Sequence, residues 1–566
     1  MREQALVGEA TALGAAPGER RRRAEPVVLV LLTATAGAAV GALLPPAGDA
    51  PAHLWRSLLL REGAWLWDGL WYGGHFPFAS YSLLYYPLAA LGGHVPLAVA
   101  SCAAASGLYA ALVIGEWGRP ARWSARAFAL FALTPVLTGT YSYAAGLATL
   151  LGAAWAARRG RWGWAGLAAA ATMALSPLAF AFLVLAATAV AVGRGVRTAH
   201  LRPARRAAVA LGAIAAGELA VLAAFPSPGF YPFPFAQLAQ GLGICVLGVA
   251  LSARARMREL VAFFALWALA CLVAFFVPSA FGANLLRLRA MVFPLFLLPA
   301  ARAWAGEHPA LRLLALPVLA LGFVYSVAPQ VMALATLATR REEATAAFWA
   351  PVVAQLERRA SPGERVEVVP TRRHWEAYWL PRAGLAVARG WNRQLDMVAN
   401  APVYARDLDA RRYRSWLAAR AVGQVVLVHT DLDAFGARRE ADLVRDPATG
   451  LRLVWRSRDA SVYEVPAATP VLSGPGPARL SSVAPAALAG WVGRPGTYTL
   501  RVRWMRYWTV EEGRVCVAPG PDGTTRLVAS EPGRFRLAAP GSWSAVARAL
   551  FAPPARCRPD QAASAR

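Results

Sequence analysis

The chain has 566 residues, of which 57% are hydrophobic and only 16% charged, with a mean hydropathy of +0.40; a soluble protein of this length needs far more polar surface. Its net charge is +27, it contains no lysine, and its isoelectric point is near 11.1. The arginines gather in short loops between apolar runs, which is the positive-inside pattern and not a nucleic-acid-binding face, so nucleic acid is excluded as a partner.

Residues 1–25 form a tail that ends in Arg20-Arg21-Arg22-Arg23 and is expected in the cytoplasm. Val27–Leu44 follows as an apolar run. It is long and lacks a small-x-small cleavage pattern before a soluble domain, so it reads as a retained first span and not as a signal peptide. Further runs of bilayer-crossing length include Leu97–Ile114, Leu178–Val192, Ala207–Ala224, Leu260–Val277 and Leu311–Val327. Four basic loops, Gly118–Arg126, Arg158–Arg161, Arg194–Arg206 and Arg254–Arg258, belong on the cytoplasmic side, where they also meet anionic lipid headgroups. An even number of spans must then separate neighbouring basic loops. Ala127–Thr140 with Tyr141–Ala157, Trp162–Leu175 with Pro177–Val192, and Ala207–Ala224 with Gln237–Leu251 supply the pairs. The chain leaves again through Leu260–Val277, returns through Ala290–Trp304, turns at Glu307-His308-Pro309 and exits through Leu311–Val327. The fold class expected is a polytopic α-helical membrane protein of about 11 spans over residues 26–335. It would be multi-pass in the plasma membrane, with outer loop 45–80 and the C-terminal part outside. Ser80–Leu91 is too short to cross alone and reads as a surface or partly inserted helix.

The outer loop carries the densest chemistry. Asp49 and His53 lie four residues apart just past the first span, and Trp55, Asp68, Trp71 and His75 follow among further aromatic rings. An aromatic belt at the membrane interface explains the rings, and so does stacking on sugar faces. Asp49 before Ala50-Pro51 is a good helix N-cap. A carboxylate at this place also suits a general base that takes a proton from an acceptor hydroxyl, with His53 one turn away to orient it or meet phosphate. Two acids and two histidines include the donor types of a divalent-metal site, but their spacings match no metal motif. A divalent metal is therefore an unassigned cofactor.

A second outward loop, Pro278–Arg289, carries Asn284, Arg287 and Arg289. Outward arginines at the mouth of a span run against the positive-inside tendency. Snorkelling accounts for them, and so does binding a lipid phosphate through the guanidinium fork, which is the reading favoured here. Phe225–Phe235 is rich in Pro and Phe, which suits either a prenyl-chain guide or an interfacial loop.

Composition changes beyond the last span. Residues 336–465 mix the helices Glu342–Arg358 and Arg411–Arg420 with β-like runs at Val366–Val369, Leu385–Val387, Val425–Val428, Leu451–Trp455 and Val462–Val465, predicting a small α/β domain. Within it His374, Glu376, Arg389, Trp391, Arg393 and Asp396 cluster in two polar-aromatic stretches suited to a cleft that binds the acceptor; a solvated face with internal ion pairs is the other reading. Residues 466–479 read as a linker. Residues 480–566 read as a small β-sandwich; Trp504, Tyr507 and Trp508 suit either glycan binding or its core, the core being favoured, and the pairing of Cys516 with Cys557 is left open.

Gly48 to Pro87, with Asp49, His53, Trp71, Gly73 and Tyr86-Pro87, resembles the first-loop pattern of the GT-C superfamily of polyprenyl-phosphate-sugar-dependent glycosyltransferases. Ala388–Asp396, with Tyr413, Trp416 and Leu417, resembles a group of large membrane proteins from GC-rich bacteria. The GT-C resemblance implies Asp49 as base, inversion at the sugar, a polyprenyl-phosphate-linked donor and an extracytoplasmic glycan or glycoprotein acceptor. A second acidic motif of some branches is not evident. Alternatives are a secondary transporter or lipid flippase, or a non-catalytic envelope-assembly scaffold. Against transport, Glu218 is the only obvious acid within a span and no internal repeat is visible.

Overall fold

The computed structural model describes residues 17–44, 48–78, 81–195, 198–305, 309–339, 342–359, 361–539, 541–551 and 557. The N-terminal tail through residue 16 and the turn expected at Glu307-His308 lie outside the described residues. The chain divides into two compact units, 1–46 with 91–218 and 231–339, and 47–90 with 219–230 and 340–566.

The first unit is helical. Among the described residues, eight helical segments are long and apolar enough to cross a bilayer: Ala24–Leu43, His94–Trp117, Pro177–Arg194, Ala204–Ala224, Phe235–Arg254, Arg258–Phe276, Gly282–Arg302 and Ala315–Thr336. This is a multi-pass membrane protein. Three of the expected spans are not among the eight. Trp162–Leu175 is a shorter apolar helix, and Tyr141–Arg158 is a separate helix. Ala127–Thr140 is broken into Arg122–Phe131 and Thr134–Thr138. Pro135 sits at the start of the second piece, where its missing N–H and ring end one helix and begin another. Thr134 Oγ1 donates to the carbonyl of Phe131 at 2.7 Å, closing the break.

The segment Gly282–Met291 is a 3₁₀ helix ten residues long, well beyond the usual few. Tertiary contacts hold it. Trp267 Nε1 donates to the carbonyl of Leu285 at 3.1 Å. Where it passes into Val292–Ala305, Ser326 Oγ donates to Arg289 O at 2.7 Å and accepts from Phe293 N at 3.0 Å, bridging the change of helical pitch. Gly282 has φ +43, and a Cβ there would lie 1.9 Å from the carbonyl of Tyr231, so only glycine fits.

The second unit holds the C-terminal α/β domain and β-sandwich. Strands β1 (Arg365–Val368), β2 (Val422–Val428), β3 (Arg452–Arg456) and β4 (Ala460–Glu464) form a sheet in the order β1-β2-β4-β3, with β1 and β2 parallel. Strands β1 and β2 are buried throughout; β2 is mostly apolar, whereas β1 carries the buried charged residues Arg365 and Glu367. The strand expected at Leu385–Val387 appears as extended chain beside β1, with Val366 N donating to Ala386 O and Ala388 N to Val366 O, each at 2.9 Å.

The sandwich has two antiparallel sheets. One is β10 (Val515–Pro519), β11 (Thr524–Ala529), β8 (Gly496–Arg503) and β5 (Leu472–Ser473); the other is β6 (Ala478–Ala484), β7 (Ala487–Val492), β12 (Gly533–Ala538) and β9 (Thr509–Glu512). Strand β5 falls inside the stretch expected as a linker, whose residues Leu472 and Ser473 pair with Leu500 and Thr499. Tyr507 is buried in the core, with Trp504 and Trp508 packed on it. Cys516 and Cys557 are joined in a disulfide.

Residues 47–90 do not fold apart from these domains. Leu66, Trp67 and Phe76 enter the sandwich core. Gly69 N donates to Pro485 O at 2.7 Å, and Val387 N donates to Leu70 O at 2.8 Å. The loop after the first span is thus hydrogen-bonded on one side to the sandwich and on the other to the α/β domain.

Candidate functional site

Pro51 in the first turn starts the helix Ala50–Arg61, and Asp49 is its N-cap residue. The Asp49 carboxylate makes no capping hydrogen bond, so the cap role expected for it is filled by backbone alone. Stepping four and seven residues on brings His53 and Arg56 to the same helix face, and both are buried. They converge on one phenol. Arg56 Nη1 donates to Tyr86 Oη at 3.1 Å, and His53 Nδ1 lies 3.1 Å from the same oxygen. Since the guanidinium only donates, the Tyr86 hydroxyl is left to donate to His53 Nδ1. The His53 ring is packed among Tyr81, Tyr85 and Tyr86, and Arg56 lies 4.7 Å over the Tyr81 ring. Burial works against the Arg56 charge, but Tyr86 and Tyr81 outweigh it and the guanidinium stays protonated.

Asp68 is in a different setting. It is fully buried, and its oxygens accept from Trp55 Nε1 at 2.8 Å and Leu70 N at 2.9 Å. Backbone bonds of 3.0 Å in both directions tie it to His75, whose Nδ1 stands 3.6 Å from its carboxylate. Burial lifts the Asp68 pKa to about 7 against the opposing pull of Trp55, Leu70 and Arg56. Burial also pushes His75 well below the usual imidazole range, helped by the charges of Arg56 and Arg503, so His75 is neutral. The Trp71 ring stacks on Trp55 and His75, with centroids 6.2 and 5.6 Å away. Its Nε1 donates to Ala377 O at 3.0 Å. A Cβ on Gly390 would come within 2.2 Å of the Trp71 ring, so glycine is required for this approach.

The two polar-aromatic stretches of the α/β domain meet around a small pocket. It lies past the carboxyl end of β1, the usual place for a ligand beside parallel strands, and Val368, Pro370, Glu376, Arg389, Arg393 and Asp396 are among its walls. His374, with φ +56, stacks on Trp391 at 3.6 Å. Its Nδ1 faces Glu376 Oε1 at 3.2 Å, and its Nε2 stands 3.8 Å from Asp433. Glu376 also accepts from Thr371 Oγ1 at 2.6 Å. Arg393 pairs with Asp433 at 2.7 Å. Arg389 bridges two buried carboxylates, Glu367 and Glu440, and donates through Nε to Glu367 at 2.8 Å. Burial, with Glu440 nearby, pushes the Glu367 pKa well up against the pull of Arg389.

Asn284, Arg287 and Arg289 lie on the 3₁₀ helix of the membrane unit. Arg287 Nε donates to Asn284 Oδ1 at 3.0 Å, a bond that fixes the guanidinium's direction. Among the described residues no group of three or more His, Cys, Asp or Glu side chains is arranged to hold a metal ion.

Sequence reasoning missed Arg56, Glu367, Asp433 and Glu440. Arg56 was within reach, because it continues the four-then-three spacing from Asp49 through His53. The three acids carry no local signal, since they come from distant segments and are joined only by folding.

No family model matches the chain, and no curated protein does. Among solved structures it is similar to the mycobacterial arabinofuranosyltransferase AftD, with a TM-score of 0.44 and 16% identity over 80% of this chain and 40% of that one. The chain thus spans two fifths of that protein's length. It is also similar to ArnT from Cupriavidus metallidurans. The form bound to undecaprenyl phosphate gives a TM-score of 0.41 at 14% identity over 79% of this chain and 99% of that one. The apo form gives 0.43 at 14% identity over 77% and 97%. At such scores no residue's role is carried across.

Proposed function

We propose that the chain is an integral membrane glycosyltransferase of GT-C type, moving a sugar from a polyprenyl-phosphate donor to a cell-envelope acceptor. Asp49 is the general base. Its carboxylate takes the proton of the acceptor hydroxyl as that oxygen bonds to the anomeric carbon. The bond from that carbon to the phosphate oxygen breaks, polyprenyl phosphate leaves, and the sugar inverts. Arg287, oriented by Asn284, meets the donor phosphate with Arg289, and neutralises charge as it gathers on the leaving oxygen. The site works on the outer face of the plasma membrane, with the N-terminus in the cytoplasm and both C-terminal domains outside.

The observation that carries this reading is the Asp49 helix. An acid stands at the start of the first helix after an apolar span, its carboxylate uncommitted to the cap, above a face that buries His53 and a charged Arg56. The experiment is reconstitution in lipid nanodiscs with a radiolabelled polyprenyl-phosphate sugar. The expected result is consumption of the donor by the native protein and none by Asp49→Asn. Equal donor consumption by a correctly inserted Asp49→Asn would end the proposal.

A further inference from the structure

We propose that the helix Trp543–Phe551 is an interfacial anchor, whose exposed apolar face rests in the lipid of the bilayer surface at which the span Ala204–Ala224 ends. The inference rests on the membrane character of the chain and not on the glycosyltransferase reading.

Helical spacing sets the apolar face. Trp543, Ala547, Leu550 and Phe551 follow one another at steps of four, three and one, so they share one side of the helix, and all four are exposed. Val546, at the edge of this face, is buried in the sandwich core. Trp543 is 77% and Phe551 87% exposed, whereas Val398, the next most exposed large apolar side chain described in residues 340–566, is 45%. Single exposed apolar residues are ordinary, but an indole and a phenyl ring this bare on one helix face call for a partner.

The fold holds this face out on purpose. A helix of nine residues is too short to be stable alone, and this one is fixed along its length. At its start, a Cβ on Gly541 would lie 2.2 Å from Gly63 O, so glycine lets the chain pass against the turn that follows the Asp49 helix. There Trp65 Nε1 donates to Gly541 O, and the Trp65 ring packs on Trp543 with centroids 4.8 Å apart. At its end, Arg506 Nη2 donates to Leu550 O at 3.3 Å, and beyond it Cys557 is bonded to Cys516 of β10.

The partner follows from what Arg506 adjoins. Its neighbour Tyr507 donates from Oη to Ala224 O at 2.9 Å and stacks on Phe225 with centroids 5.5 Å apart. Arg503 Nη2 donates to Pro226 O at 3.0 Å. Ala224 is the last residue of an apolar helix long enough to cross a bilayer, and the final turns of that helix belong to the same unit as the sandwich. The loop between β8 and β9 therefore meets a membrane surface, and the helix tied to this loop through Arg506 meets it too. Tryptophan favours that interface, as Trp543 requires. Residues 542–558 contain three arginines and no acid, which matches anionic headgroups. A protein partner fits less well, because four side chains fall far short of the roughly 20–30 residues a stable interface uses on each side.

The test uses the full chain in nanodiscs, with a nitroxide label on Ala547→Cys and the unsubstituted protein as background. Power-saturation EPR compares access of oxygen, which concentrates in lipid, with access of a nickel chelate, which stays in water. Oxygen access above nickel access is expected, and phosphatidylglycerol in the disc should raise the ratio. Nickel access above oxygen access would overturn the anchor by placing the face in water. Exclusion of both reagents would overturn it by placing the face against protein, a second copy of this chain included. Phe551→Glu, with an unchanged melting temperature, should shift the labelled helix toward water by about tenfold or more in its equilibrium, the equivalent of burying one phenylalanine. An unchanged oxygen-to-nickel ratio in that variant would overturn the contact assigned to this face, and a ratio indifferent to phosphatidylglycerol would overturn the match to anionic headgroups.

Discussion

Two regions of the second unit bury carboxylates in opposite ways. Asp68 is met by neutral donors, an indole and a backbone amide, with a neutral histidine 3.6 Å away. Glu440 and Glu367 are met by a shared guanidinium. Neutral donors compensate burial only in part, so Asp68 titrates near pH 7. A cation shared between two acids offsets only part of the cost of burial, and the Glu367 pKa is pushed well up. Asp49 belongs to neither class, being half-buried with no bond to the cap. Residue type alone thus says little about which acid is chemical and which is structural; the partners decide.

The largest expected effect separates Asp49 from both buried networks. Asp49→Asn should lower sugar transfer by about 10²–10⁴-fold, the range for loss of a general base, with no change in melting temperature. A loss of activity that tracks a loss of fold would move Asp49 into the structural class. Next is Arg389→Met, which leaves Glu440 buried with only the Tyr413 hydroxyl and strands Glu367. Thermal unfolding should show about 3–5 kcal/mol of destabilisation. A neutral outcome would mean that water reaches this network.

The comparison sharpens with pH. The Asp68 pKa is raised from about 3.8 to about 7, so the folded state binds the proton more tightly than the unfolded chain. Stability from this group is fully present below pH 4 and is lost as pH rises through 7. The sum is a few kcal/mol at most. Asp68→Asn keeps an acceptor for Trp55 and cannot titrate. The difference in melting temperature between native protein and Asp68→Asn should therefore favour the variant more at pH 8 than at pH 5. A difference independent of pH would mean that Asp68 is ionised throughout.

Much of this could be read from the sequence, for physical reasons. Strand β2 is mostly apolar because both its faces are covered, and Asp49, His53 and the turn signal at Pro51 are local in the chain. The broken span at Pro135 was misread because hydropathy averages over a break that one proline makes. The linker residues Leu472 and Ser473 were misread because edge pairing with β8 overrides their Pro- and Gly-rich flanks. The sequence offers Asp68 and His75 as sugar- or acceptor-binding candidates, since nothing in their neighbours announces that Trp55 and Leu70 bond to the Asp68 carboxylate. The acids Glu367, Asp433 and Glu440 that pair with Arg389 and Arg393 come from stretches far from them in the chain, and no spacing rule joins them.

The smallest effect tests the Asp68 cluster from its other side. Trp55→Phe keeps a ring to stack on Trp71 but removes the indole N–H that Asp68 accepts at 2.8 Å. The carboxylate stays buried and keeps the Leu70 amide, so the loss is one donor to a buried acid, about 1–3 kcal/mol. Because that donor favours the charged form, the Asp68 pKa should rise above its present value of about 7. The destabilisation should accordingly be larger at pH 8 than at pH 5, where the acid is protonated in both proteins. The double variant Trp55→Phe with Asp68→Asn should lose this pH dependence, and a cycle of the four proteins measures the coupling directly. Additive effects would show that Trp55 holds the Asp49 helix by packing on Trp71 alone.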